Sequence, residues 1–207
     1  MKVLLVNGSP NKEGCTFTAL SEVASALEKD GVETEIFHIG TKPVRGCTGC
    51  LKCREAGKCV FDDDACNEMA EKILLADGLV VGSPVYYAGP NGALCALLDR
   101  VFYSNMGRFK HKPAACVVSL RRGGASAAFD RLNKYFTIAQ MPVVASQYWN
   151  SVHGQKPEEV RRDVEGLQVM RLLGRNMAWL LKAIKTGELP AEHEQKRVWT
   201  SFADGKA

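Results

Sequence analysis

At 207 residues, 46% hydrophobic and 24% charged, the chain has the length and balance of a globular α/β domain with a full apolar core. No apolar run is long enough to cross a bilayer, and the short run Val3-Leu4-Leu5-Val6 is too brief for a secretion signal, so the expected location is the cytoplasm. The formal net charge of +4 is not gathered into a basic run interleaved with aromatics; this argues against nucleic-acid binding and suits anionic small ligands better than cationic ones.

Residues 2–7 read as a buried strand, and residues 16–29 as a helix with Leu20, Val23 and Leu27 on one face and Gly31 just past its end. Between them lies Gly8-Ser9-Pro10-Asn11-Lys12-Glu13-Gly14-Cys15-Thr16. Such a loop makes an anion site, because free N–H groups of the first helical turn point outward and the helix dipole favours negative charge. Ser9, Thr16 and Thr18 add hydroxyls, and Asn11 an amide. The nucleoside-triphosphate loop is ruled out by spacing, since five residues separate Gly8 from Gly14 and Cys15 follows; Gly-x-Gly-x-x-Gly is absent as well. An ordinary strand-to-helix turn remains the alternative for this loop taken alone.

Residues 34–39 form the second expected strand. After it comes Gly46-Cys47-Thr48-Gly49-Cys50-Leu51-Lys52-Cys53, with Cys59 following after five intervening residues. Without a secretion signal, eight cysteines are better read as metal ligands or buried apolar residues than as disulfides. Runs of similar tightness hold iron–sulfur clusters in bacterial ferredoxins. Zinc, a thioredoxin-type dithiol and a loop without metal stand as alternatives. Cys95 and Cys116 fall in apolar patterns and belong to the expected core.

A helix over residues 65–75, with Asp64 as its N-cap, leads to a third strand over residues 79–83. Its end, Ser83-Pro84-Val85-Tyr86-Tyr87-Ala88-Gly89-Pro90, combines stiff prolines, aromatic rings and glycines that admit a flat ligand. The tyrosines would equally serve to cover the sheet end. A helix over residues 91–104 follows, then a fourth strand over residues 114–119. That strand ends in Leu120-Arg121-Arg122-Gly123-Gly124, where an arginine can meet negative charge. Next come a helix over residues 125–139 and a fifth strand over residues 142–148, whose Pro142 suits an edge. Past it, His153 is a candidate hydrogen-bond donor to a reducible oxygen or nitrogen. A long helical pattern over residues 158–185 is expected to bend at Gly166 or Gly174. The tail over residues 186–207 is polar apart from Trp199 and Phe202 and is expected to be loose or to dock on a neighbouring subunit.

Strands alternating with helices imply a doubly wound α/β domain over residues 1–185: a five-stranded parallel sheet, helices on both faces and the flavodoxin-like order 2-1-3-4-5. In that order a ligand sits past the carboxyl ends of strands one and three.

The first loop, Ser83-Pro84-Val85-Tyr86-Tyr87 and Leu98-Asp99-Arg100 together resemble the NADPH-dependent FMN reductase family over residues 1–150. The resemblance implies FMN with its phosphate on Ser9, Asn11, Cys15 and Thr16. The ring would lie along Pro84, Val85, Tyr86 and Tyr87 and against Arg122, Gly123 and Gly124. Many members carry arginine in the first loop where this chain has Asn11-Lys12. The cysteine run, with Cys59-Val60-Phe61-Asp62-Asp63-Asp64 after it, resembles the iron–sulfur flavoprotein branch. That likeness implies a [4Fe-4S] cluster on Cys47, Cys50, Cys53 and Cys59, at the same sheet edge as the flavin, in homodimers or homotetramers. The expected activity is electron transfer from NAD(P)H, or from a carrier such as ferredoxin, to a small-molecule acceptor. A pure flavodoxin-like carrier is the alternative, but flavodoxins are typically acidic and this chain is mildly basic.

Overall fold

The computed structural model describes residues 1–188, so the expected docking of Trp199 and Phe202 lies outside the described residues. β1 (Lys2–Asn7) leads through α1 (Cys15–Lys29) to β2 (Glu33–His38). The loop after β2 contains one helical turn, α2 (Cys53–Ala56), before α3 (Cys66–Leu75). β3 (Gly78–Tyr86) folds back through β4 (Gly89–Pro90) into α4 (Gly92–Ser104). β5 (Ala114–Leu120), α5 (Ala125–Ile138), β6 (Ser151–His153), α6 (Pro157–Val160) and α7 (Val164–Thr186) follow.

The long strands pair in parallel in the order β2-β1-β3-β5-β6, while β4 pairs antiparallel with the end of β3. The expected doubly wound sheet is present, and its order differs in detail through the added β4. Successive side chains of β1 serve opposite faces. Val3 and Leu5 pack with α1 and α7, whereas Leu4 and Val6 pack with α3, α4 and α5. The sheet is therefore covered twice, which is why its inner strands β1 and β5 are buried almost throughout. No helix among the described residues is long and apolar enough to cross a membrane.

Three sequence expectations need correction. The fifth strand is not residues 142–148. That segment makes one isolated bridge to β5, Val143 beside Ala114, with Pro142 O accepting from Ala114 N–H (2.9 Å) and Val144 N–H donating to Ala114 O (2.8 Å); the paired strand is Ser151–His153. Between them the chain bulges outward, and the Asn150 side chain fills the gap by donating to Cys116 O (3.0 Å). The long last helix is two helices, because Asp163 caps the second by accepting from Gly166 N–H (2.9 Å). Gly174 instead allows close packing, since a Cβ there would stand 2.7 Å from Ala26 Cβ. The third strand runs on to Tyr86 and closes a hairpin at Tyr87 and Ala88, both in the left-handed region (φ 49° and 59°). Two-residue hairpin turns of this kind favour asparagine and glycine, so nothing in Tyr-Ala announced it.

Candidate functional site

A cleft of about 640 Å³ opens at the carboxyl ends of β1, β3 and β5, within the size range of small-ligand sites. Its floor is the loop from β1 to α1. Gly8 N–H donates to Gly82 O (2.9 Å), and the Asn91 side chain donates to Gly8 O (2.9 Å). Asn7 Oδ1 accepts from Ser9 N–H, and Ser9 Oγ accepts from Asn11 N–H (both 3.1 Å). These bonds hold the loop open around the start of α1. Gly14 is the N-cap of that helix, so no side chain caps it, and its first turn carries no acidic residue. Free first-turn amides at such a position suit a phosphate. Lys12, Arg121 and Lys156 line the cleft against one carboxylate, Glu13, which adds positive field.

Two local features set the depth of the floor. Gly82 allows α1 to approach β3: a Cβ there would stand 2.8 Å from both Thr16 Cγ2 and Leu20 Cδ1. The Thr16 and Ser119 hydroxyls, 2.8 Å apart, then join α1 to the end of β5. Burial pushes the Cys15 thiol up, and its Sγ lies 3.6 Å from Gly154 O, so it faces protein rather than acting as a free thiolate.

Of the residues singled out in the sequence, Ser9, Asn11, Cys15, Thr16, Pro84, Val85 and Tyr86 line this cleft together. Thr18 does not, because its hydroxyl donates to Gly14 O within the helix (3.2 Å). Tyr87 is fully exposed at the hairpin tip. Arg121 lines the cleft in place of Arg122. Neither Gly123 nor Gly124 lines it: Gly123 is exposed, and Gly124, with φ +90°, packs behind the hairpin, where a Cβ would meet Ala88 Cα at 2.6 Å. His153 also stays outside: Asp163 accepts from its backbone N–H (2.7 Å) and lies 3.4 Å from its Nδ1. Sequence reasoning missed Gln155, Lys156 and Pro157, which form the far wall. Placing the last strand too early hid the signal, which is that these residues follow the carboxyl end of the true edge strand.

Cys47, Cys50, Cys53 and Cys59 border one small recess with Phe61, Arg100 and Tyr103. Cys47 and Cys50 are exposed, and Cys53 and Cys59 half-buried. The Lys52 backbone N–H, helped by the Thr48 hydroxyl, holds the Cys50 thiol below its ordinary value. Burial raises Cys53, with Cys50, Cys59 and Cys47 close enough to add to the effect. Among the described residues, no three His, Cys, Asp or Glu side chains converge tightly enough for a single metal ion. Four cysteine sulfurs around one recess are the donor set that an iron–sulfur cluster takes.

The recess does not share the cleft's rim as expected. No residue borders both. α4 runs from Asn91 at the carboxyl edge back towards the other end of the sheet, and the cysteine loop packs on its later turns. Arg108 Nη1, beyond α4, donates to Gly57 O (3.2 Å).

The buried centre of this second site is Arg100, whose side chain is 1% exposed. It pairs with Asp64 and donates to Arg45 O (3.2 Å), Phe61 O (2.9 Å) and Cys59 Sγ (3.3 Å). Burial opposes its charge, but the hydrogen bonds to Asp64 and Cys59 outweigh burial and raise its pKa. Asp64 Oδ1 also accepts from Cys66 N–H (3.0 Å) at the start of α3. The expected N-cap is displaced by one residue: Ala65 holds that position, and Asp64 precedes it.

Comparison with known proteins bears on the family and the fold. The family model for NADPH-dependent FMN reductase matches residues 1–156. An iron-sulfur flavoprotein of Methanocaldococcus jannaschii is 35% identical over 193 residues, covering 89% of this chain and 100% of that protein. The crystal structure of RosB with bound 8-demethyl-8-formylriboflavin-5′-phosphate superimposes with a TM-score of 0.72 at 14% identity, over 100% of this chain and 98% of that one. An archaeal flavodoxin superimposes at 0.60 and 16% identity, over 88% and 99%. These likenesses show a flavodoxin-like fold.

Proposed function

The chain belongs to the NADPH-dependent FMN reductase family, beside the iron-sulfur flavoproteins, and on that premise we propose an FMN-dependent oxidoreductase that passes electrons from NAD(P)H or ferredoxin to a small acceptor. A quinone, free flavin, azo or nitro compound, or an oxygen species fits that role. The observation that carries the reading is the uncapped start of α1 facing a cleft walled by Pro84, Val85 and Tyr86. Bound FMN supplies the electron chemistry. The protein's part is to hold the phosphate on the first-turn amides with Ser9, Asn11 and Thr16, and to exclude water from the ring with the β3–β4 hairpin. Arg121 and Lys156 offer charge to an incoming nicotinamide nucleotide.

In this reading Cys47, Cys50, Cys53 and Cys59 hold a [4Fe-4S] cluster that relays single electrons. The cluster recess is set back along α4 from the cleft, which favours transfer across an interface in a homodimer or homotetramer. A reducing cytoplasm keeps such thiols free.

Anaerobically purified protein should show flavin absorption, equal iron and acid-labile sulfide, and NADPH or NADH oxidation once a quinone or azo dye is added. Reduction by ferredoxin without turnover on any acceptor would assign a carrier instead. Zinc in place of iron would make the cysteine loop structural.

A further inference from the structure

We infer that Arg100 is a positioning residue: held by Asp64, it fixes Cys59 and, through the hydrogen bond from Nε to Cys59 Sγ, raises the reduction potential of the cluster. The inference rests on the cluster reading above and goes beyond it by making one ligand unlike the other three.

One guanidinium reaches Arg45, Cys59, Phe61 and Asp64, which are spread along the whole cysteine loop. A planar fork with five donors can do this; an ammonium on a single stem cannot. Cys59 is fixed from a second side as well. Asn67 accepts from its N–H (3.1 Å) and donates to its carbonyl (2.9 Å). Cys47 and Cys50, by contrast, lie exposed.

Reduction adds negative charge that is shared with the cysteine sulfurs. A buried cation or donor at one sulfur stabilises the reduced form more than the oxidised form, so the potential rises. Low surrounding polarity strengthens that preference.

The test is an EPR-monitored anaerobic redox titration of the holoprotein, with the FMN midpoint read in the same sample. Arg100→Lys should lower the cluster midpoint by about tenfold in the reduction equilibrium, or about 59 mV for one electron. The flavin midpoint should stay in place. A variant that keeps its iron with an unmoved cluster midpoint, or in which both midpoints move together, overturns the inference. Arg100→Gln, which keeps amide donors but not the charge, carries the test if Arg100→Lys does not fold: a lowered midpoint supports the inference, and an unchanged one contradicts it. Wild-type protein without iron and sulfide would instead remove the cluster reading itself.

Discussion

Replacing Asp64 with alanine lowers the free energy of unfolding by about 3–5 kcal/mol, the usual cost of leaving one member of a buried ion pair behind. Both side chains are almost wholly buried, at 1% for Arg100 and 3% for Asp64. The remaining partners of Arg100 are two backbone carbonyls and a sulfur, which satisfy its hydrogens without cancelling its charge. The same substitution removes the acceptor for Cys66 N–H at the start of α3, an interaction worth about 1 kcal/mol in helix caps. Asp64→Asn should cost less, because the amide oxygen can still accept. An exposed pair provides the control. Arg161 and Glu158 are 3.6 Å apart with side chains 62% and 72% exposed, and breaking them should change stability by less than about 1 kcal/mol. Urea unfolding of cluster-free protein measures all three. A loss below about 1 kcal/mol for Asp64→Ala would mean that the guanidinium finds water once its partner is gone.

The other large effect is expected at Gly124. With φ at +90°, any side chain is strained there, and a Cβ would stand 2.6 Å from Ala88 Cα and 3.0 Å from Val85 Cγ1. Both neighbours belong to the hairpin that walls the cleft, so relief of the clash must move that wall. Gly124→Val should weaken FMN binding by about tenfold or more and destabilise the protein by about 1–3 kcal/mol, the usual cost of a forced left-handed residue. Gly123→Ala is the matched control, since a Cβ there meets nothing within 4 Å. Fluorescence titration with FMN and thermal melting separate the two variants; equal affinities would detach this loop from the flavin site.

The features that depend on local pattern were legible in the sequence. Buried strands announce themselves as short apolar runs, and the glycine- and serine-bearing loop between β1 and α1 marks a helix start with free amides. Legibility ended where long-range contacts decide. Residues 142–148 have strand composition, yet they pair with β5 only around Ala114, and further along that edge the Asn150 side-chain amide serves Cys116 O. The helical pattern of the last segment runs straight through Asp163, whose capping role depends on how α7 docks. Arg100 stood in the sequence only as the last letter of Leu98-Asp99-Arg100. Its four partners lie 36 to 55 positions away, and no spacing rule connects them. The cysteine loop was identifiable by its run of thiols, but its position along α4 required the fold.

The claim on which the rest depends is that the amides at the start of α1 grip a phosphate. Titrating flavin-free protein with FMN and with riboflavin, which lacks only that phosphate, tests it directly by flavin fluorescence. Several charge-assisted hydrogen bonds at about 1.5–3 kcal/mol each, with tenfold for every 1.4 kcal/mol, lead us to expect FMN to bind at least about a hundredfold more tightly. Equal affinity for the two, or no binding of either, would contradict the account.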